Sequence, residues 1–118
     1  MKKDTILNYK GIDYRLVFNL NAMEEIQEEY GSIEKWGTLT DGSSGEVNAK
    51  ALIFGLRAML NEGIDIDNED NAGVEGYVKK KALSLKAVGR LLTEVGLAEA
   101  TQKLNETVVE STKSDEKN

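Results

Sequence analysis

Asp65, Asp67, Glu69 and Asp70 form the densest set of metal-type ligands in this sequence. Hard carboxylate oxygens at near-alternate spacing suit calcium, which binds where a glycine turn follows the first ligands and a glutamate closes the loop. Started at Asp65, the glycine position holds Asp70 and the closing position Gly76; started at Asp67, they hold Ala72 and Val78. The pattern fails, and Ile64 to Gly73 reads as a solvated acidic loop without a designed metal site. Asp65 and Asp67 are close enough in sequence for acid–base work, but a polar loop offers no burial to separate their pKa values. The chain has no histidine and no cysteine, which removes the usual zinc, copper and haem ligands, thiolate chemistry and disulfides. No nucleophile with a histidine base, phosphate loop or dinucleotide fingerprint is present. The expectation is a protein that is not an enzyme, with no catalytic residue, metal ligand or cofactor.

Charge narrows the partners. A formal net charge of -6 over 118 residues disfavours nucleic acid and anionic lipid, whose binders neutralise phosphates. The rival to a protein-binding role is a DNA-binding regulator, because Ser84 to Glu110 reads as two helices broken at Gly96, in the manner of a helix-turn-helix. Lys79, Lys80, Lys81, Lys86 and Arg90 make a local basic patch, but the would-be recognition helix carries Glu99, Glu106 and Glu110 against Lys103. No stretch is long and apolar enough for a membrane span, and Met1 to Tyr9 lacks the apolar core of a signal peptide. These features place the protein in the cytoplasm, with neither nucleic acid nor membrane as partner.

The elements that must carry any site follow from periodicity. Thr5, Leu7 and Tyr9, then Ile12, Tyr14, Leu16, Phe18 and Leu20, alternate with polar residues across Lys10-Gly11, the pattern of a β-hairpin with a two-residue turn. Its register sets Tyr9 against Ile12, Leu7 against Tyr14 and Thr5 against Leu16. Its outer edges are either a docking site for another strand or short edges protected by charge. Asn21 and Glu24 have the spacing of a capping box for a helix ending at Gly31, with Met23, Ile26 and Tyr30 inward and Glu24, Glu25, Glu28 and Glu29 outward. Ser32 to Trp36 reads as one more turn, and Gly37 to Glu46 as a flexible loop. Asn48 to Gly63 is the central helix: Ala49, Leu52, Ile53, Leu56, Met59 and Leu60 share one face, Asn48 caps it and Gly63 ends it. Val74 to Ala82 is open between a helical turn and an extended arrival. Ser84 starts a helix with Val88, Leu91, Leu92 and Val95 inward and Gly96 as its stop; Leu97, Ala100, Leu104 and Val108 continue at helical spacing in the next. The fold class is mainly α (α+β), an N-terminal β-hairpin packed on a small bundle of about four helices. Residues 1–110 form one domain, and the polar tail 111–118 is expected to be disordered.

In order along the chain, Gly-Ile-Asp-Tyr-Arg-Leu-Val-Phe-Asn-Leu-Asn-Ala-Met, Glu-Glu-Tyr-Gly-Ser, Phe-Gly-Leu-Arg-Ala-Met-Leu-Asn-Glu-Gly and Leu-Ser-Leu-Lys-Ala-Val-Gly-Arg-Leu-Leu resemble the tail assembly chaperones of long-tailed bacteriophages and prophages. The resemblance spans Ile6 to Leu104. It implies a non-catalytic chaperone in the bacterial host cytoplasm that binds the tape measure protein, with the tail tube protein as a further partner, and that is absent from the mature virion. A structural tail protein is the other reading. A chaperone of this kind needs exposed apolar surface; the candidates are Leu97, Leu104, Val108 and Val109, with core packing expected for Leu97, Ala100 and Leu104 and partner contact for Val108 and Val109. The same stripe also suits self-association.

Overall fold

The computed structural model describes residues 5–43 and 45–116, with residues 112–116 by their backbone only. Lys10 and Gly11 have φ of 53° and 78°, the left-handed pair whose twist matches that of two hairpin strands. They join β1 (Thr5–Tyr9) to β2 (Ile12–Leu16) in the expected antiparallel register, Tyr9 opposite Ile12, Leu7 opposite Tyr14 and Thr5 opposite Leu16. Leu7, Tyr9, Tyr14 and Leu16 are buried, so the alternation sends one face to the core. Ile12, beside the turn, and Leu20 are exposed: the strand stops at Leu16, and Leu20 already opens a helix whose first turn points it outward.

In a hairpin with a two-residue turn, Ile6 and Asp13 lie in the pairs that turn their carbonyls outward. The Ile6 carbonyl accepts a hydrogen bond from Lys103 Nζ at 2.7 Å, and that of Asp13 accepts one from Lys80 Nζ at 2.9 Å. Ammonium groups thus stand at both edges, which favours the protected edge over the docking edge.

Five helices follow, one more than the sequence pattern suggests: α1 (Leu20–Tyr30), α2 (Ile33–Thr40), α3 (Ala49–Asp70), α4 (Leu85–Val95) and α5 (Leu97–Glu116). Asn19, not Asn21, caps α1, its Oδ1 accepting from the Ala22 N–H at 3.2 Å. Asn21 instead joins Asn19 in donating to the Glu62 carboxylate, at 3.0 and 2.8 Å. Ser32, Asn48 and Ser84 cap α2, α3 and α4 through the same side-chain acceptance, and Gly31 and Gly96, both at positive φ, close α1 and α4. Helix α2 runs on to Thr40 because Trp36 and Thr40 are both buried, tertiary packing overriding the weak propensities of Gly37, Thr38 and Thr40. Helix α5 continues through 111–116 rather than ending at Ser111, and residues 117–118 lie outside the described residues.

The largest departure is at Gly63, which does not end α3. Helix α3 passes through it to Asp70 and packs against β2, α1, α2 and α4. Gly63 and Gly55 are packing positions: a Cβ on Gly63 would lie 2.0 Å from the Arg15 carbonyl oxygen, and one on Gly55 would lie 2.3 Å from Cζ2 of Trp36. Their absent side chains let β2 and the indole sit directly on the helix backbone. The indole is fixed there by its Nε1–H, which donates to the Ala51 carbonyl at 2.9 Å. The core on both sides is Leu7, Ile26, Leu52, Leu56, Met59, Leu60, Ile64, Val88, Leu91 and Leu104, all essentially inaccessible to water.

The acidic stretch is therefore helical, not a loop. Asp67 accepts from Arg15 Nη2 at 2.7 Å and from Lys80 Nζ at 3.1 Å, while Asp65, Glu69 and Asp70 face outward. Burial pushes the Asp67 carboxyl up, but the hydrogen bonds and charges of Lys80 and Arg15 outweigh it and hold the group below its ordinary range. Among the described residues no cluster of acidic side chains is arranged to hold a metal ion. Asn61 and Asn68 meanwhile grip the irregular connector that follows α3. Each donates to one of its carbonyls and accepts from the N–H of the same residue, Leu83 for Asn61 and Lys80 for Asn68, at 2.8 to 3.0 Å. The amide side chains take the place a neighbouring strand would occupy, so the connector crosses the end of α3 without becoming helix. No helix among the described residues is long and apolar enough to cross a membrane.

Candidate protein-docking site

Of the four candidate contact residues, the structure leaves two at the surface. Leu97 and Val109 are 56% and 49% exposed; Leu104 is fully buried, and Val108 packs partly against the core. Leu104 is thus a core residue and cannot meet a partner, and Leu97, expected in the core, lies outside it. Leu97 lies about two turns before Leu104 and at nearly the same angle on α5, so its exposure follows from its place as the first residue of the helix, directly after the Gly96 stop, whereas Val109 is turned away from the inner line of Ala100, Leu104 and Thr107.

Leu97, Thr101 and Val109 line an open, shallow groove of about 910 Å³ along α5, with Val47 also lining it and Glu106 and Glu110 near Val109. A second groove, about 800 Å³, lies between α3 and α4, where Ile53 and Phe54 face Leu85 and Gly89. Each has roughly the volume of two turns of a helix 10 Å across. A smaller hollow joins them, sharing Ile53, Gly89 and Thr93 with the second and Leu97 with the first. The apolar surface is therefore one trough across three helices. Contiguous exposed apolar surface is where a binding region would be sought.

The second groove is rigid on its α3 side. The Phe54 ring meets Tyr30 edge to face at a centroid distance of 5.7 Å, and the Arg57 guanidinium lies 5.4 Å from its centroid on the way to Glu25, 3.1 Å away. Burial, with the Glu29 charge adding to it, pushes the Tyr30 hydroxyl up from its ordinary value, so it remains protonated near neutral pH. Leu85, on the α4 side, is 46% exposed. Gly89 keeps the floor low, since a Cβ there would only reach van der Waals contact with Ile53 Cδ1 at 3.6 Å.

The basic patch expected from sequence is divided between two places. Lys80 is committed to Asp67 and the Asp13 carbonyl beside β2, whereas Lys86 and Arg90 line the α3–α4 groove. Sequence reasoning put Ile53 in the buried stripe of the central helix and did not single out Phe54 or Leu85, yet all three line the α3–α4 groove. The available signal was Gly89, a residue of low helix propensity inside a strongly amphipathic helix. The walls of the trough are mainly apolar, with Glu29, Lys50, Lys86 and Arg90 at the α3–α4 groove and Glu106 and Glu110 at the α5 groove. No protein-family model, curated protein or solved structure matches this chain.

Proposed function

We propose that this protein is a non-catalytic tail assembly chaperone of the bacteriophage kind, which covers apolar helical stripes of a tape measure protein until tail tube subunits replace it. The observation that carries the reading is the trough along α5, where Leu97 and Val109 stand exposed beside a core that is complete without them. A chaperone that must later release its client needs modest affinity, and an open, shallow apolar surface supplies that better than a deep pocket.

The experiment is co-expression with the tape measure protein of the same phage gene cluster, followed by pull-down and measurement of how much tape measure protein stays soluble. The expected result is a complex that keeps the tape measure soluble, and loss of both complex and solubility with Leu97→Asp plus Val109→Asp. Tape measure protein that is equally insoluble with and without this chain would overturn the proposal.

A further inference from the structure

We infer that the α3–α4 groove is a polarity-reading site for an acidic amphipathic helix of a partner protein, with Lys86 and Arg90 as its specificity residues. The inference extends the trough described above but needs neither the tape measure protein nor the α5 wall to be correct.

Lys86 and Arg90 stand where stability alone would not put them. Lys86 is the second residue of α4, at the end where the helix dipole is positive and a cation is unfavourable. Arg90 follows one turn later, a like charge at the spacing where charges repel along a helix, and although Glu94 lies a further turn on, it forms no ion pair with Arg90 among the described residues. Neither has an ion-pair or hydrogen-bond partner among the described side chains. The other charges on the groove cancel, Lys50 facing Glu29 at 3.7 Å. An acidic chain, net -6, thus keeps two uncompensated cations beside Phe54, Leu85 and Gly89.

Charge complementarity fixes the occupant. Glutamate or aspartate flanking an apolar stripe would pair with Lys86 and Arg90 while the stripe covers Ile53, Phe54 and Leu85. Such contacts mainly set orientation and reject wrong partners, since partly solvated pairs add little affinity. A nucleic acid would use the same cations but leave the apolar floor uncovered. At the Val109 end of the trough the signs reverse, because Glu106 and Glu110 line it. A helix acidic at one end and basic at the other would therefore lie along the trough in one direction only.

The test uses two fluorescent synthetic helices of about 20 residues, long enough to be helical when bound, with one leucine stripe and either glutamate or lysine flanking it. Anisotropy is read against the full chain at low and moderate salt. The expected result is a preference of about tenfold or more for the glutamate peptide, shrinking with salt. Lys86→Glu with Arg90→Glu should reverse the preference, and Gly89→Leu, which raises the floor while improving helix propensity, should abolish binding of both peptides. Circular dichroism melts of each variant separate loss of binding from loss of fold. Equal binding of the two peptides, no binding of either, or a glutamate preference untouched by the charge reversal would each overturn the inference. So would tighter binding of a DNA duplex than of the glutamate peptide at the same salt, or a concentration-dependent dimer dispersed by Gly89→Leu, which would make the occupant a second copy. Failure of the tape measure experiment leaves these outcomes unaffected, so the two readings fail separately.

Discussion

Substituting alanine for glycine at two helix-interior positions should move stability in opposite directions. In an exposed helix, Gly→Ala gains roughly 0.8–1 kcal/mol, because glycine loses more backbone entropy on folding. At Gly37, where an added Cβ meets nothing within 4 Å, most of that gain should appear. At Gly63 the new methyl would start 2.0 Å from the Arg15 carbonyl oxygen, against the 3.4 Å at which ordinary contact begins. The neighbour is strand backbone, so β2 must retreat from α3 by more than an ångström, and gaps of that size forfeit a large part of each dispersion contact. Leu16 and Tyr14 are buried on that strand, and the Val17 N–H donates to the Met59 carbonyl of α3 at 3.3 Å. Overpacking of this kind costs about 1–3 kcal/mol. Because the overlap is with strand backbone rather than a side chain that can rotate away, the cost lies in the upper half of that range, about 2–3 kcal/mol, and after the propensity gain Gly63→Ala should still destabilise by about 1–2 kcal/mol. Near 4 °C per kcal/mol for a domain of this size, its melting temperature should fall by about 4–8 °C, while that of Gly37→Ala should rise by about 3 °C. Thermal unfolding followed by circular dichroism, with urea melts for the free energies, reads both. A Gly63→Ala protein that melts at or above the wild type would refute the close approach of β2 to α3, and with it the account of why a glycine sits mid-helix.

Three further outcomes test other parts of the structure. Gly55→Ala should destabilise the wild type by about 1–3 kcal/mol, because its methyl would overlap the Trp36 indole, yet cost much less in a Trp36→Leu background; additive losses in urea melts would show that the two residues do not touch. Thr101 Oγ1 is enclosed without a hydrogen-bond partner among the described residues, so Thr101→Val should stabilise by about 1 kcal/mol by removing an unmet desolvation cost, and destabilisation would show that the hydroxyl is bonded. The lowered pKa of Asp67 means that its unfolded form takes up a proton first as pH falls. The clamp on Arg15 and Lys80 therefore contributes fully above the ordinary value of 3.8 and is lost as pH drops through the lower folded value. Asp67→Asn should cost about 1–3 kcal/mol at neutral pH, a difference from wild type that narrows below about pH 4; a gap constant across that range would place the stabilisation elsewhere.

Features governed by neighbours in sequence were legible. The hairpin register followed from Lys10-Gly11 and alternation, and the caps at Asn48 and Ser84 and the stops at Gly31 and Gly96 followed from side-chain oxygens and positive φ. Features governed by what packs on a residue were not. Gly63 has the same composition signal as Gly31 or Gly96, but its φ is negative and its use is steric. Read as a small core residue, it continues the series Leu56, Met59, Leu60, Gly63 and Ile64 without a break, which is how α3 extends into the acidic stretch. The capping-box spacing pointed to Asn21, yet Asn19 caps α1 through its Oδ1 while both asparagines donate to Glu62, a contact made only in the folded chain. Of the proposed site, sequence reasoning pointed to Val109 for partner contact, expected Leu97 in the core, and gave no sign of the centre, because only the fold shows that Ile53 and Phe54 line a groove beside α4.

The same distinction bears on function. A residue that contributes to folding has its reason within the chain: Asp67 has Arg15 and Lys80, Asn68 has the connector backbone, Trp36 has Ala51 and the gap at Gly55. Leu85, Leu97 and Val109 have no such reason, Lys86 carries a small penalty at the start of α4, and Arg90 has no ion-pair partner among the described residues. These five residues border one connected apolar trough. Exposed leucine and valine scattered over a surface are ordinary, and Leu20 and Val74 are of that kind here. Apolar exposure that is contiguous, rimmed by charge and walled on one side by the braced ring of Phe54 is different, and the proposed docking of a helix rests on that contiguity.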